Sequence, residues 1–337
     1  MVDDVEGDRS PGQRSGDQAG DRGTRRRVAV FAPAPVLVAT FEYPQGESSP
    51  EVALNVGGQG PWVARAIDAL GAHAVLVVPL GGDTGRVARL LLEHEPHELR
   101  ALDTRAAIAF YVEERSGGER TCIRDAPPGS FGQRELDDLY SATLAAALDA
   151  DVCVITGSPW ADHVDASLMQ RLTADLASLG TVTVADLSGE QLDAALAGGV
   201  DWLKIARGEL AGAAEAGDDD CWLWSQAHAL AEAGGRHRSV IVSQGSAPAL
   251  AVVDGARFSV SVPELSTVDS RGSGDAMTAA LATGLAEGRQ LGALLRRASA
   301  AGAANAVHKG SATPDAVLVD RLARAVTVDE QPSPPPG

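Results

Sequence analysis

The run Val268-Asp269-Ser270-Arg271-Gly272-Ser273-Gly274-Asp275-Ala276-Met277 sets two glycines, a hydroxyl and a carboxylate just ahead of an Ala-rich stretch. Glycines let the backbone turn tightly and bring its N–H groups against a ligand. A helix that begins there presents unpaired N–H donors and a dipole that favours an anion. A phosphoryl group in transfer needs such a cradle, because its catalysis is mainly positioning and electrostatic stabilisation. Asp275 falls in the first turn, where it can accept a proton from an attacking hydroxyl. A lone GxGD run serves a capped turn as readily as it serves chemistry. No GxxxxGK[ST] run occurs, so a P-loop is not supported. Gly58-Gln59-Gly60 is half of a dinucleotide fingerprint, but its third position is Val63 and it follows alternating strands. That context argues against a nicotinamide enzyme.

Elements that could position such a site alternate along the chain. Short apolar runs around Val28–Phe31, Ala74–Pro79, Thr181–Asp186 and Trp202–Ile205 predict buried strands. Helical stretches separate them, and the glycine-rich run opens a helix reaching about Glu287. Repeated strand–helix alternation predicts an α/β fold with a mostly parallel sheet covered on both faces. Two segments break the rhythm. Residues within about 36–56 and 106–124 alternate with period two and predict antiparallel strands with one wetted face, suited to a small β-lid over one end of the main sheet.

Composition bounds the rest. The chain has 337 residues, 45% of them hydrophobic, and a formal charge of −18. A nucleic-acid binder needs a basic surface to displace counterions, so nucleic acid and anionic membranes are not expected partners. Cys122, Cys153 and Cys221 form no CxxC pair, which argues against structural zinc and a disulfide framework. No apolar run reaches the ~18 residues of a membrane span, and a cytoplasmic location is expected. Residues 1–26 are polar and Gly-rich and predict a disordered tail. A domain over 27–328 and a Pro-rich tail over 329–337 complete the organisation.

An ordered set of motifs over roughly residues 27–326 resembles the ribokinase-like (PfkB) carbohydrate kinase family. Gly272-Ser273-Gly274-Asp275 is similar to its C-terminal signature, and Gly57-Gly58-Gln59-Gly60-Pro61-Trp62-Val63-Ala64-Arg65 to its N-terminal signature, GGKGxNVAR. Leu80-Gly81-Gly82-Asp83, Thr156-Gly157-Ser158, Asp186-Leu187-Ser188-Gly189, Lys204-Ile205-Ala206-Arg207-Gly208-Glu209-Leu210 and Ser243-Gln244-Gly245 follow in family order. The nearest branch is that of 1-phosphofructokinase and tagatose-6-phosphate kinase. The resemblance implies a three-layer α/β/α domain with a β-lid, ATP as donor and Mg²⁺ as counter-ion. It makes Asp275 the base and Gly272, Ser273 and Gly274 the anion hole. It implies that Lys204, Ser243, Gly245 and Asn305 serve the nucleotide together with Gly272 and Gly274. Gly57, Gly58, Gln59, Trp62 and Arg105 would meet a sugar or sugar-phosphate acceptor, and Glu209 would organise Mg²⁺ through water. A homodimer through the lid is a further implication.

Departures from the family pattern cluster at the acceptor end. Val36 stands where the branch has a sugar-binding Asp, Gln59 replaces a Lys, and Trp62 replaces an Asn. Ala107 and Ala109 replace an amide and a Lys beside the retained Arg105, and Ala206 replaces the Asn of KPNxxE. A hydrogen bond to a charged group is worth ~1.5–3 kcal/mol, so losing two cations from a phosphate clamp costs about a hundredfold in affinity. These losses spare Asp275 and its glycines. They predict an active kinase with altered acceptor specificity, or alternatively a catalytically impaired ligand-binding or regulatory relative.

Overall fold

In the computed structural model, which describes residues 25–43, 49–116, 119–160, 163–217, 219–233, 238–308 and 313–332, the apolar runs become strands. The first strand is β1 (Arg27–Phe31). Next come β2 (Val36–Glu42), β3 (Glu51–Gly57) and helix α1 (Gln59–Ala69). β4 (His73–Gly81), α2 (Gly82–Leu92) and β5 (Glu98–Thr104) precede β6 (Ala109–Ser116) and β7 (Glu119–Ala126). The alternation resumes with α3 (Gln133–Leu148), β8 (Val152–Thr156), α4 (Ala166–Ser178) and β9 (Val182–Asp186). After α5 (Gly189–Gly198) and β10 (Trp202–Ala206), a 3₁₀ turn at Arg207–Glu209 leads to α6 (Ala213–Ala216) and α7 (Asp220–Glu232). β11 (Ser239–Gln244), β12 (Ala247–Val253) and β13 (Ala256–Ser261) follow. The chain closes with α8 (Ser273–Ala286), α9 (Leu291–Ala306), α10 (Ala316–Ala323) and β14 (Thr327–Gln331).

Ten strands form one sheet in the order β14-β13-β12-β11-β10-β9-β8-β1-β4-β5. Pairing is parallel from β11 through to β5 and antiparallel among the last three. Successive residues of a strand point to opposite faces, so the apolar run Val28–Phe31 of β1 fills two cores. Val28 and Val30 pack with Ile67 of α1, Leu281 of α8 and Leu295 of α9. Ala29 and Phe31 pack with Leu139 of α3, Leu172 of α4, Leu196 of α5 and Leu223 of α7. Helices therefore cover both faces, and the fold is a three-layer α/β/α domain with a mostly parallel sheet.

The two alternating segments form a separate four-stranded sheet, β3-β2-β6-β7, in which β2 and β6 run parallel and the outer pairings are antiparallel. Its second segment runs on to Ala126, two residues past the expected end. The C-terminal boundary at 328 also moves. Residues 327–331 pair with β13 in an antiparallel ladder, and Val328 packs against the core. The polar run Asp329-Glu330-Gln331 hides a strand because an edge strand needs few apolar side chains. At the other end, the tail expected over 1–26 lies outside the described residues except for Arg25 and Arg26. The Arg26 carbonyl accepts from the His73 N–H (2.8 Å), so the chain joins the sheet there.

Candidate active site

The glycine-rich run lies between β13 and α8. Gly272 is the N-cap of α8 in the left-handed region (φ 73°), which favours glycine, and Ser273 opens the helix. Gly274 is needed for space: a Cβ there would sit 2.6 Å from Lys204 Nζ. Asp275 in the first turn is only 9% exposed. Burial pushes its carboxyl up to about 7. The Asp186 charge adds to this, the Lys204 charge opposes it, and Glu209 adds a smaller push. A carboxyl titrating there is matched to base work near neutral pH.

Lys204 reaches this helix because of strand alternation. Its neighbours Leu203 and Ile205 enter one core, so its own side chain faces the other layer. Asp186, at the end of β9, is its register partner on the adjacent strand. Lys204 Nζ lies 3.2 Å from each Asp186 oxygen, and both side chains are buried. The Thr278 hydroxyl, one turn past Asp275, donates to Asp186 Oδ2 (2.6 Å). Burial opposes the charge on Lys204, but Asp186, Asp275 and Glu209 together raise its pKa above the ordinary value. The ammonium is therefore fixed as a cation beside Gly274 at the start of α8.

Other expected nucleotide residues surround this centre. Asn305 of α9 is buried, and its amide donates to the Arg271 carbonyl (2.6 Å) and to Ser273 Oγ (3.3 Å). It thus clamps the anion-hole loop directly. Asn305→Ala is expected to lower unfolding free energy by about 1–3 kcal/mol, read by chemical denaturation, because a loop carbonyl loses its donor. Ser243 stands beside Ala206 at the end of β11, and Gly245 (φ 63°) makes the turn into β12 with open space around it. The neighbouring Gln244 accepts from Arg207 Nη1 (2.7 Å). Glu209 is exposed in the 3₁₀ turn, with Oε2 accepting from the Ala206 N–H (2.8 Å).

At the acceptor end, β3 delivers Gly57 and Gly58 to the start of α1. A Cβ on Gly58 would lie 2.6 Å from the Ala34 carbonyl, and one on Gly60 would overlap Ala32, so this run is pressed against the Ala32–Pro35 segment. Gln59 is turned to the backbone, with Oε1 accepting from the Gly157 N–H (3.2 Å). Trp62 is half-buried beside Gly57, its ring 3.7 Å from where a Cβ would stand. Arg105 is exposed, and its N–H donates to Glu135 Oε1 (2.5 Å). Val36 and Ala109, register partners in the small sheet, are both buried and apolar.

The sequence pattern passed over four residues of this site. Asp186 stood in a quoted motif with no role, yet it anchors Lys204. Thr278 fixes Asp186. Glu113 of β6 lies 3.3 Å from Arg271 Nη1, and Arg271 adjoins the anion hole. A carboxylate ending a buried strand was the available signal for Asp186. Nothing local marks the Glu113–Arg271 contact, which spans 158 positions.

Among the described residues, no three His, Cys, Asp or Glu side chains form a metal cage. Mg²⁺ that arrives on nucleotide phosphates needs only one or two carboxylates and keeps several waters. Glu209, exposed and close enough to act on both Lys204 and Asp275, fits that lesser demand.

Known proteins resemble this chain over most of its length. Residues 35–317 match the family model described as pfkB family carbohydrate kinase. The ATP-dependent 6-phosphofructokinase isozyme 2 of Mycobacterium tuberculosis is 30% identical over 274 residues, covering 79% of this chain and 78% of that one. The protein of the same name from Escherichia coli is 30% identical over 281 residues, covering 80% and 87%. The structure of the tetrameric inhibited form of phosphofructokinase-2 from Escherichia coli superposes with a TM-score of 0.74 at 25% identity, covering 89% of this chain and 99% of that one.

Proposed function

We propose that this chain, which belongs to the pfkB family of carbohydrate kinases, phosphorylates a sugar phosphate with ATP in the manner of a phosphofructokinase. The observation that carries the reading is Asp275: a buried carboxyl raised to about 7, at a helix N-terminus whose first turn is shaped by glycines. In the transfer, an acceptor hydroxyl gives its proton to Asp275 and its oxygen bonds to the γ-phosphorus. The bond from that phosphorus to the ADP oxygen breaks. N–H groups of Gly272, Ser273 and Gly274 receive the charge that spreads over the phosphoryl oxygens. Lys204, held by Asp186, adds a fixed positive charge below them. Mg²⁺ carried with the nucleotide would be organised by Glu209 and would supply further neutralisation of phosphate charge. Ser243 and Gly245 flank the nucleotide, and Asn305 serves it through the loop that it clamps.

The acceptor side supports altered specificity. Gln59 is committed to a backbone N–H, and Val36 and Ala109 offer no polar atom. Trp62 and Arg105 remain to meet the acceptor there, with the small sheet acting as a lid. The outer apolar side chains Val52, Leu54 and Ile123 of that sheet are exposed, which supports a homodimer through it. No helix among the described residues is long and apolar enough to cross a membrane, and we place the enzyme in the cytoplasm.

The test is ADP release by the purified protein with Mg²⁺ and ATP over a panel of sugars and sugar phosphates that includes fructose 6-phosphate. Acceptor-dependent release supports the reading, and tight ATP binding without release on any acceptor would overturn it. The pH profile is a second expectation. The base works ionised, so kcat/KM should fall as pH drops through about 7, far above the ordinary carboxylate range.

A further inference from the structure

We propose that Arg271, oriented by Glu113 of the small sheet, is a further catalytic residue whose guanidinium donates to the oxygens of the transferring phosphoryl group. This rests on the kinase reading above. Arg271 immediately precedes the anion hole, and its backbone is fixed from both sides. Its N–H donates to Asp269 Oδ1 (3.0 Å), and its carbonyl accepts from Asn305 (2.6 Å). A fixed backbone fixes where the side chain starts. That side chain crosses from the loop to the small sheet, placing Nη1 3.3 Å from Glu113 Oε1. Arg271 stands one residue before Gly272, the N-cap of α8, so its side chain leaves the loop beside the helix N-terminus where the proposed function puts the phosphoryl group.

Its carboxylate partner is shared with a second guanidinium. The second Glu113 oxygen lies 3.1 Å from Arg120 Nε, so one carboxylate serves two guanidinium groups. Asp269 Oδ2 is 4.0 Å from Arg120 Nη2. Arg115 stands directly opposite Arg120 in the β6–β7 ladder, and like charges in register repel. Arg120 and Arg271 thus share the carboxylates of Glu113 and Asp269. Arg271 is 48% exposed and so remains accessible, whereas Glu113 is buried and rigid. A guanidinium fork suits phosphoryl oxygens, and an arginine supplied within the same chain lowers the barrier for charge spread over them.

Arg271→Ala and Glu113→Gln, compared with the unaltered protein, decide the matter. Arg271→Ala is expected to lower kcat by about 10²–10³ with KM for ATP changed less than about threefold. Added guanidinium ion should restore part of that rate, and Glu113→Gln should lose about tenfold through misorientation. A binding arm needs no acceptor: calorimetry of ADP with Mg²⁺, with and without aluminium fluoride as the phosphoryl mimic. The unaltered protein should bind the mimic complex more tightly than ADP, and Arg271→Ala should lose that excess while keeping its ADP affinity. A rate within threefold of the unaltered protein, or an undiminished excess, overturns the assignment of Arg271. Absence of turnover in the unaltered protein counts against the kinase reading, and the binding arm still decides the role of Arg271.

Discussion

Asp275→Asn should abolish useful turnover and at the same time make the protein harder to melt above neutral pH. Loss of a positioned base costs about 10²–10⁴ in rate. The amide is nearly isosteric and leaves the helix start and its glycines in place, so ATP binding should survive. The stability gain follows from linkage. Burial and Asp186 make Asp275 hold its proton more tightly in the folded chain than in the unfolded one. Its contribution therefore favours folding at low pH, complete below the ordinary value of 3.8, and is lost as pH rises through about 7. Across that window the proton-linked loss grows, reaching at most roughly 4 kcal/mol once the base is ionised above about 7. A neutral Asn never incurs that cost. Thermal melts at pH 8 and pH 4 check this: the variant's advantage should be large at pH 8 and small at pH 4. Equal melting behaviour at both would refute the strained-base account even if activity is lost.

Asp186→Ala should be the most destabilising single change in the site. Lys204 is buried and its ammonium bonds to both Asp186 oxygens. Removing one partner of a buried ion pair leaves an uncompensated charge and costs about 3–5 kcal/mol. Denaturant unfolding should show that loss. Replacing the pair together, Asp186→Leu with Lys204→Met, should recover much of the stability and none of the activity, because apolar groups of similar size satisfy the cavity but not the phosphates. Asp186→Asn is the gentler probe. Asp186 raises the Asp275 carboxyl, so its neutralisation should shift the acid limb of kcat/KM to lower pH. A limb that stays in place would show that burial alone sets the base.

The parts of the fold that were legible in the sequence are those where one local pattern has one physical solution. Val28-Ala29-Val30-Phe31 is apolar at every position, and only a strand buried on both faces uses such a run. Gly272 and Gly274 were readable because φ and space at a helix start leave few alternatives. Helix α3 escaped detection because its buried stripe is made of Leu139, Thr143, Ala146 and Ala147, of which only Leu139 is large. Thr143 is satisfied there by donating back to the Leu139 carbonyl (2.7 Å). Strand β14 escaped because an edge strand shows itself by its ladder and not by its side chains. At the site, Asp275 came from its place in the glycine-rich run, and Lys204 and Asn305 from the family resemblance. What each one does depends on partners far along the chain: Asp186 for Lys204, and Arg271 and Ser273 for Asn305.

The strand order has a consequence for how the enzyme comes into being. From β8 onward each strand of the main sheet is laid beside its predecessor, out to β13, and β14 closes that side. A chain leaving the ribosome can therefore add the sheet strand by strand, always presenting the newest edge to the next arrival. Asp275 emerges only after β13, and Asn305 later still. Most of the parallel sheet can be in place while the catalytic loop has no clamp. During synthesis or refolding, backbone structure should appear before catalysis, and the recovery of turnover reports the docking of α8 and α9 instead of the growth of the sheet.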